Sequence, residues 1–298
     1  MVKGRVTVRR SPFPSDGRPF EGTGIWRKRN ANGQAMNRNC DGAGSQKSPP
    51  MATSATFPDV GSVAATGKRV AIIQSAYIPW KGFFDLVARC DEYVILDTVQ
   101  FARRHWHNRN RIKSPQGLLW LTIPVITKSR FEQPIEDVMV AEPWADRHWR
   151  SIETYYRKAP CFDLHVQAVR DLFEEAASKS RLTDINEVLL TGLLQLLGIR
   201  TKISRDRAFD PQGSKTDRLV DICRKAGASR YLSGPSARAY LEEDKFHAAG
   251  IEVEWMVYPD YPQYHQLWGA FEHAVSIIDL IFNAGVAARE LWWTGERR

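Results

Sequence analysis

Long apolar runs are missing from this 298-residue chain, and so is any clustering of cysteine. No stretch approaches the roughly 18 consecutive apolar residues that a bilayer-crossing helix needs, so no such helix is expected. The first residues carry no apolar segment of the kind a secretory signal requires. Cys40, Cys90, Cys161 and Cys223 stand far apart, with no C-x-x-C pair. That spacing argues against a disulfide framework and suits a reducing, cytoplasmic compartment. Cys90 and Cys223 fall inside helical patterns, where a thiol serves as a small hydrophobe.

Positive charge is in excess but unevenly placed. Residues 1–67 hold ten Lys/Arg against four acids, whereas the remainder holds 32 against 30. The basic character therefore belongs to the tail, and a nucleic-acid partner is not expected for the body. Rich in Gly, Ser, Pro and Asn, residues 1–67 read as a disordered tail that buries too little apolar surface to offset its ordering entropy. Met51 offers an alternative start within it. With 43% hydrophobic residues overall, residues 68–289 suffice for one α/β domain, leaving 290–298 as a C-terminal tail.

Within the body, β-branched runs mark strands at Val70–Ile73, Tyr93–Leu96, Thr201–Ser204, Arg230–Leu232 and Ile251–Val257, and Leu118–Val125 reads as another buried strand. Helical spacing marks Lys81–Cys90, Trp144–Arg157, Asp163–Ser178, Thr183–Leu197, Thr216–Ala226, a segment from about Ser236 to Ala249, and Phe271–Asn283. Thr183 is expected as an N-cap and Gly198 as a helix stop. Strands alternating with helices predict a Rossmann-like, mostly parallel sheet flanked by helices, with residues 144–197 as a helical block beside it. Such sheets bind ligands at their carboxyl edge, which directs attention to the segments that follow the strands.

Five segments carry candidate chemistry. In Gln74–Gly82, Pro79 and Gly82 open a helix whose free amides favour an anion. Gln74 closes the preceding strand, and Tyr77 and Trp80 either wall a sugar or base or pack the turn. Asp97 and Gln100 end the next strand, where an acid orients a hydroxyl or amine, holds Mg²⁺, acts as a base or caps a turn. Arg103–Lys113 packs five Lys/Arg and two His around Trp106. Trp106, Asn108, Arg109 and Lys113 are its candidate contacts to a phosphorylated or nucleotide-like group, the alternatives being single-stranded nucleic-acid contact and a solvated loop. His105 and His107 lack a third ligand nearby, so no metal is expected. Lys215, Ser233 and Ser236 flank a second helix start able to receive an anion; G-x-S-x-G is absent, so neither serine reads as a nucleophile elbow. Finally, the aromatic segment Tyr258–His273 reads as a cover. On the helix expected to follow it, His273, Ser276 and Asp279 share one face, with His273 as the general-base candidate.

Six segments together resemble the WbqC-like family: QSAYIPWKGFFD at 74–85, DTVQF at 97–101, WHNRNRIK at 106–113, WLTIPV at 120–125, YLSGPSARAYL at 231–241 and HAVSIIDLIFN at 273–283. The resemblance implies an association with bacterial surface-polysaccharide (O-antigen) gene clusters and a glycine- or aminoacyl-transferase role toward an amino sugar. It brings no agreed catalytic set, so Asp97 and His273 rest on the residue reading alone. The implied ligands are an amino-sugar nucleotide and an acyl or aminoacyl donor, free or carrier-bound; no cofactor is legible. A weaker likeness in element order is to the HxGH nucleotidylyl transferases. This chain lacks their histidines, with Tyr77 and Phe84 among the residues of that region, which leaves ATP use open.

Overall fold

In the computed structural model, which describes residues 67–293, five parallel strands form one sheet. They are β1 (Arg69–Ile73), β2 (Glu92–Ile95), β5 (Lys202–Arg205), β6 (Arg230–Ser233) and β7 (Glu252–Trp255), in the spatial order β5-β2-β1-β6-β7. The order runs outward from β1 in both directions, so the chain reverses its winding between β1 and β6. That reversal point is where doubly wound sheets open a crevice at their carboxyl edge. The expected tail lies outside the described residues apart from Gly67.

Alternation along β1 explains the layering. Ala71 faces a core shared with α1 (Lys81–Ala88), α2 (Ala145–Tyr156), α3 (Phe162–Ala177), α4 (Leu182–Leu196) and α7 (Ile277–Ala284). Val70 and Ile72 face the opposite core, against Ile222 and Cys223 of α5 (Thr216–Lys225) and Phe246 of α6 (Glu243–Ala248). Successive strand side chains point to opposite faces, so a strand apolar on both is sandwiched between helical layers. Each fully buried Leu, Ile or Phe contributes about 1.5–3 kcal/mol. The packed region continues to Trp292, which is fully buried, three residues beyond the expected domain end.

Four expectations need correction. Residues 109–114 are not a loop: β3 (Arg109–Ser114) pairs antiparallel with β4 (Gly117–Thr122) in a separate hairpin, Arg111 opposite Trp120. β4 is thus not a buried strand of the main sheet, and Leu118 is 40% exposed. The high cation count hid the period-2 pattern, in which Arg109, Arg111 and Lys113 share one side and Asn110 and Ile112 the other. Second, the helix expected to begin near Ser236 is a 3-10 turn over Pro235–Ala239, followed after a break by α6. Third, α7 starts at Ile277 rather than Phe271, with the Ser276 hydroxyl capping the Ile278 amide. Its start is pinned from outside, since Ser276 N–H donates to the Arg111 carbonyl and Ile277 N–H to that of Pro79, both at 2.9 Å. Fourth, Arg181 and not Thr183 holds the N-cap position of α4, because the Thr183 hydroxyl is used elsewhere.

Candidate functional site

The turn leaving β1 is built around Ser75. Its amide donates to Asp97 Oδ1 (2.9 Å), its hydroxyl accepts from Asn186 Nδ2 (3.0 Å), and its carbonyl accepts from His107 Nδ1 (2.9 Å). Thr183 Oγ1 donates to the other Asp97 oxygen at 2.5 Å. Asp97 is buried, and that burial raises its carboxyl above the usual range although the Thr183 and Ser75 bonds pull the other way. With both oxygens engaged, Asp97 ties the β1 turn to β2 and α4. Asn186 also donates to the His107 carbonyl, closing a buried polar network. Gln74, beside it, is half-buried.

Tyr77 lies in the core, its hydroxyl 2.8 Å from His148 Nδ1, while His148 Nε2 stands 3.1 Å from the Thr122 carbonyl. A carbonyl only accepts, so Nε2 carries the proton and Tyr77 donates to Nδ1. Ile78 adopts φ 36°, and Asn110 Nδ2 secures that strained bend by donating to the carbonyls of Tyr77 and Ile78. Asn108 likewise donates to the Ile123 carbonyl. Trp80 then folds back over the first turn of α1: a Cβ added at Gly82 would meet its ring at 2.3 Å, so that position requires glycine.

At the hairpin, two guanidinium groups gather on a pair of touching indoles. Arg109 lies 4.2 Å from the Trp120 ring and Arg111 5.5 Å from it, Arg111 also lies over Trp106 at 5.7 Å, and the two indoles are 5.5 Å apart. Burial lowers the pKa of Arg109, Arg111 and Lys113 alike. Cations kept at low hydration beside aromatic faces suit an anionic group attached to a planar or sugar ring.

The segment 258–275 straps this row to α1 and α7. Lys113 Nζ donates to Gln266 Oε1 (2.9 Å) and to the Ala270 carbonyl (2.6 Å), and Arg111 to the Ala274 carbonyl (2.9 Å). Asp279, fully buried at the start of α7, accepts from Tyr156, Tyr264 and Gln266, each at 2.8 Å. Tyr261 donates to buried Asp85 of α1 at 2.6 Å. His273 belongs to this strap and not to α7, so the expected stripe with Ser276 and Asp279 does not form. Its Nδ1 is buried without a hydrogen-bond partner, and burial, then the charge of Lys81, hold the ring below the ordinary histidine range.

Lys81 escaped the sequence reading. It is 2% exposed, its Nζ has no hydrogen-bond partner, and the rings of Tyr261, Tyr264 and Phe271 lie 5.0, 5.2 and 5.4 Å away. Burial lowers its amine to about 8, against the pull of the Asp279 charge. Nothing in the sequence marks this lysine at the head of α1; the covering strap is what makes it unusual.

Other candidates lie apart from this cluster. Gln100 is exposed and donates to the Phe131 carbonyl at 2.7 Å. Lys215 is exposed ahead of α5, Ser233 is buried at the end of β6, and Ser236 is half-buried in the 3-10 turn. Ser233 and Ser236 follow β6 on the same sheet edge as Asp97 after β2, because the strands are parallel. Arg218, also missed, bridges from α5 to the Thr98 hydroxyl at 3.0 Å. Among the described residues no three His, Cys, Asp or Glu side chains converge as a metal site. Of two open hollows, that of about 570 Å³ along α3 and α4 holds none of these residues, whereas that of about 280 Å³ between β4 and α2 is lined by Trp120 of the hairpin cluster and by His148.

No solved structure matches this chain. It is similar to the uncharacterized protein Rv1507c of Mycobacterium tuberculosis, with 44% identity over 222 residues that cover 74% of this chain and 96% of that protein. The WbqC-like protein family matches residues 74–291, a span that includes the Ser75–Asp97 network, the hairpin, the strap and Lys81. The chain belongs to the WbqC-like family.

Proposed function

We propose that this protein transfers an acyl or aminoacyl group, such as glycyl, to the amine of an amino-sugar nucleotide or related precursor of bacterial surface polysaccharide. The observation that carries the reading is the cluster in which Arg109 lies over Trp120 and Arg111 lies against the Trp106–Trp120 pair, in the row ending at Lys113, which suits the phosphates and ring of a nucleotide sugar. Trp80 and Trp106 wall the sugar or base. Gln74, Ser233 and Ser236 lie at the reversal point between β1 and β6, apart from this cluster, and serve in this reading as contacts to a second part of the ligands, such as the acyl donor.

In this reading His273 takes the amine proton. Burial and the Lys81 charge lower its pKa and favour the neutral ring, and Nδ1, buried without a hydrogen-bond partner, accepts once the strap admits the amine. The amine attacks the acyl carbon, the proton passes to His273, and the donor's leaving group departs with the bonding pair. Asp97 then serves as a positioning residue for the β1 turn, because both its oxygens are already occupied. Incubation with glycyl donors and 4-amino-sugar nucleotides, read by mass spectrometry, is the direct test; a complete absence of acylated sugar across donors would overturn the assignment.

The engagement of Asp97 also favours a second reading: a non-catalytic nucleotide- or glycan-binding accessory protein. Here His273→Ala keeps ligand affinity and no donor ever yields product.

A further inference from the structure

A buried ammonium brings three N–H donors out of water, and leaving them unmet is costly. Lys81 is such a group. Its place at the first position of α1 adds to the cost, since the helix N-terminus carries partial positive charge. The rings of Tyr261, Tyr264 and Phe271 hold the ammonium by their faces but offer it no lone pair. Both tyrosine hydroxyls are turned to other partners, Asp85 and Asp279. The charge balance around it is mixed: Lys113, Arg111 and Lys81 on one side, Asp279 and Glu272 on the other, with His273 touching Phe271 at 4.6 Å.

We propose that Lys81 is the receiving residue of an oxyanion subsite beneath the strap, taking a phosphate or carboxylate group of a ligand. The anion supplies the acceptor that the cage lacks, and Arg111 and Lys113 draw it in. Those two cations presently bond strap carbonyls of Ala274 and Ala270, contacts that an oxyanion oxygen replaces. Tyr264 and Phe271 of the cage, and His273 against Phe271, are each only half-buried, so part of the cover over Nζ itself meets the surface. The proposal stands whether or not a transferase activity is found.

Thermal unfolding of the full chain with inorganic phosphate, diphosphate or acetate, each against potassium chloride at equal ionic strength, tests it. The wild type should show a saturable rise in Tm with at least one of the three. Lys81→Met fills the cage without charge; it should start at a higher Tm and lose that response by at least about tenfold in affinity. Exposed Lys158→Met should respond as the wild type, and Lys81→Gln serves if the methionine variant does not fold. A response to phosphate or diphosphate alone assigns the subsite to a nucleotide phosphate, and to acetate alone to a carboxylate. An unaltered response in both Lys81 variants, or none in the wild type beyond chloride, overturns the proposal.

Discussion

Thr183 Oγ1 stands 2.5 Å from Asp97 Oδ2, while the Ser75 amide holds the other oxygen at 2.9 Å. A carboxylate committed in this way is a joint between β1, β2 and α4 before it is anything else. Asp97→Ala should therefore destabilise the fold by about 2 kcal/mol or more, by orphaning two buried donors. Thr183→Ala should cost less, and the double variant should fall short of the sum. Urea unfolding of the four proteins checks this; unchanged stability with lost turnover would return Asp97 to a catalytic role.

Acid should loosen the molecule through its buried histidines. Burial holds His105, His107 and His148 down to about 3, about 4 and about 4. The unfolded chain takes up these protons near pH 6.5 and the folded chain does not, so this stability is full above about pH 6.5 and is lost as pH falls toward about 4. Asp97 and Asp279, raised by burial, act in the opposite sense. His148→Gln keeps an acceptor for Tyr77 and a donor for Thr122, and should flatten the slope. Urea midpoints from neutral pH downward measure it, and an unchanged slope in the variant would refute this account.

Gly82 and Trp80 form one unit. Gly82→Ala places a methyl within 2.4 Å of two indole carbons, so the ring must leave its seat. The expected cost is about 1–3 kcal/mol with a red-shifted tryptophan emission. In a Trp80→Ala background the same substitution should be nearly neutral, because the obstruction has gone. Equal costs in both backgrounds would show that the ring is not what the glycine accommodates.

If His273 accepts the amine proton, His273→Ala should lower kcat by about 100-fold or more with KM little changed. Lowering pH below the ordinary histidine range should depress kcat in the wild type for the same reason. A fall confined to KM would instead make His273 a binding residue.

Local chemistry made much of the architecture legible. The β-branched runs at Val70–Ile73 and Tyr93–Leu96 could satisfy their two-faced apolar pattern only inside a covered parallel sheet. The charge of RNRIK masks the hairpin, although its alternation serves two sides, Asn110 inward to the turn carbonyls and Arg109 and Arg111 outward to indoles. The start of α7 was missed because Phe271–Val275 can continue a helix by composition, and only bonds from Arg111 and Pro79 decide that it begins at Ile277. His273 moved from a helix face to a strap for the same reason.

The family, the alternation of strands and helices and the gathering of polar side chains after β1 and β2 were determined by the amino-acid order alone, through periodicity and turn-forming residues. Whether a given polar group stands free or is consumed depended on the tertiary structure. Asp97 and Lys81 are equally ionisable in the string; a hydroxyl from α4 satisfies one, while three rings from a distant segment shut the other away from water. Burial and partnership are sums over neighbours remote in sequence, and no local pattern encodes them.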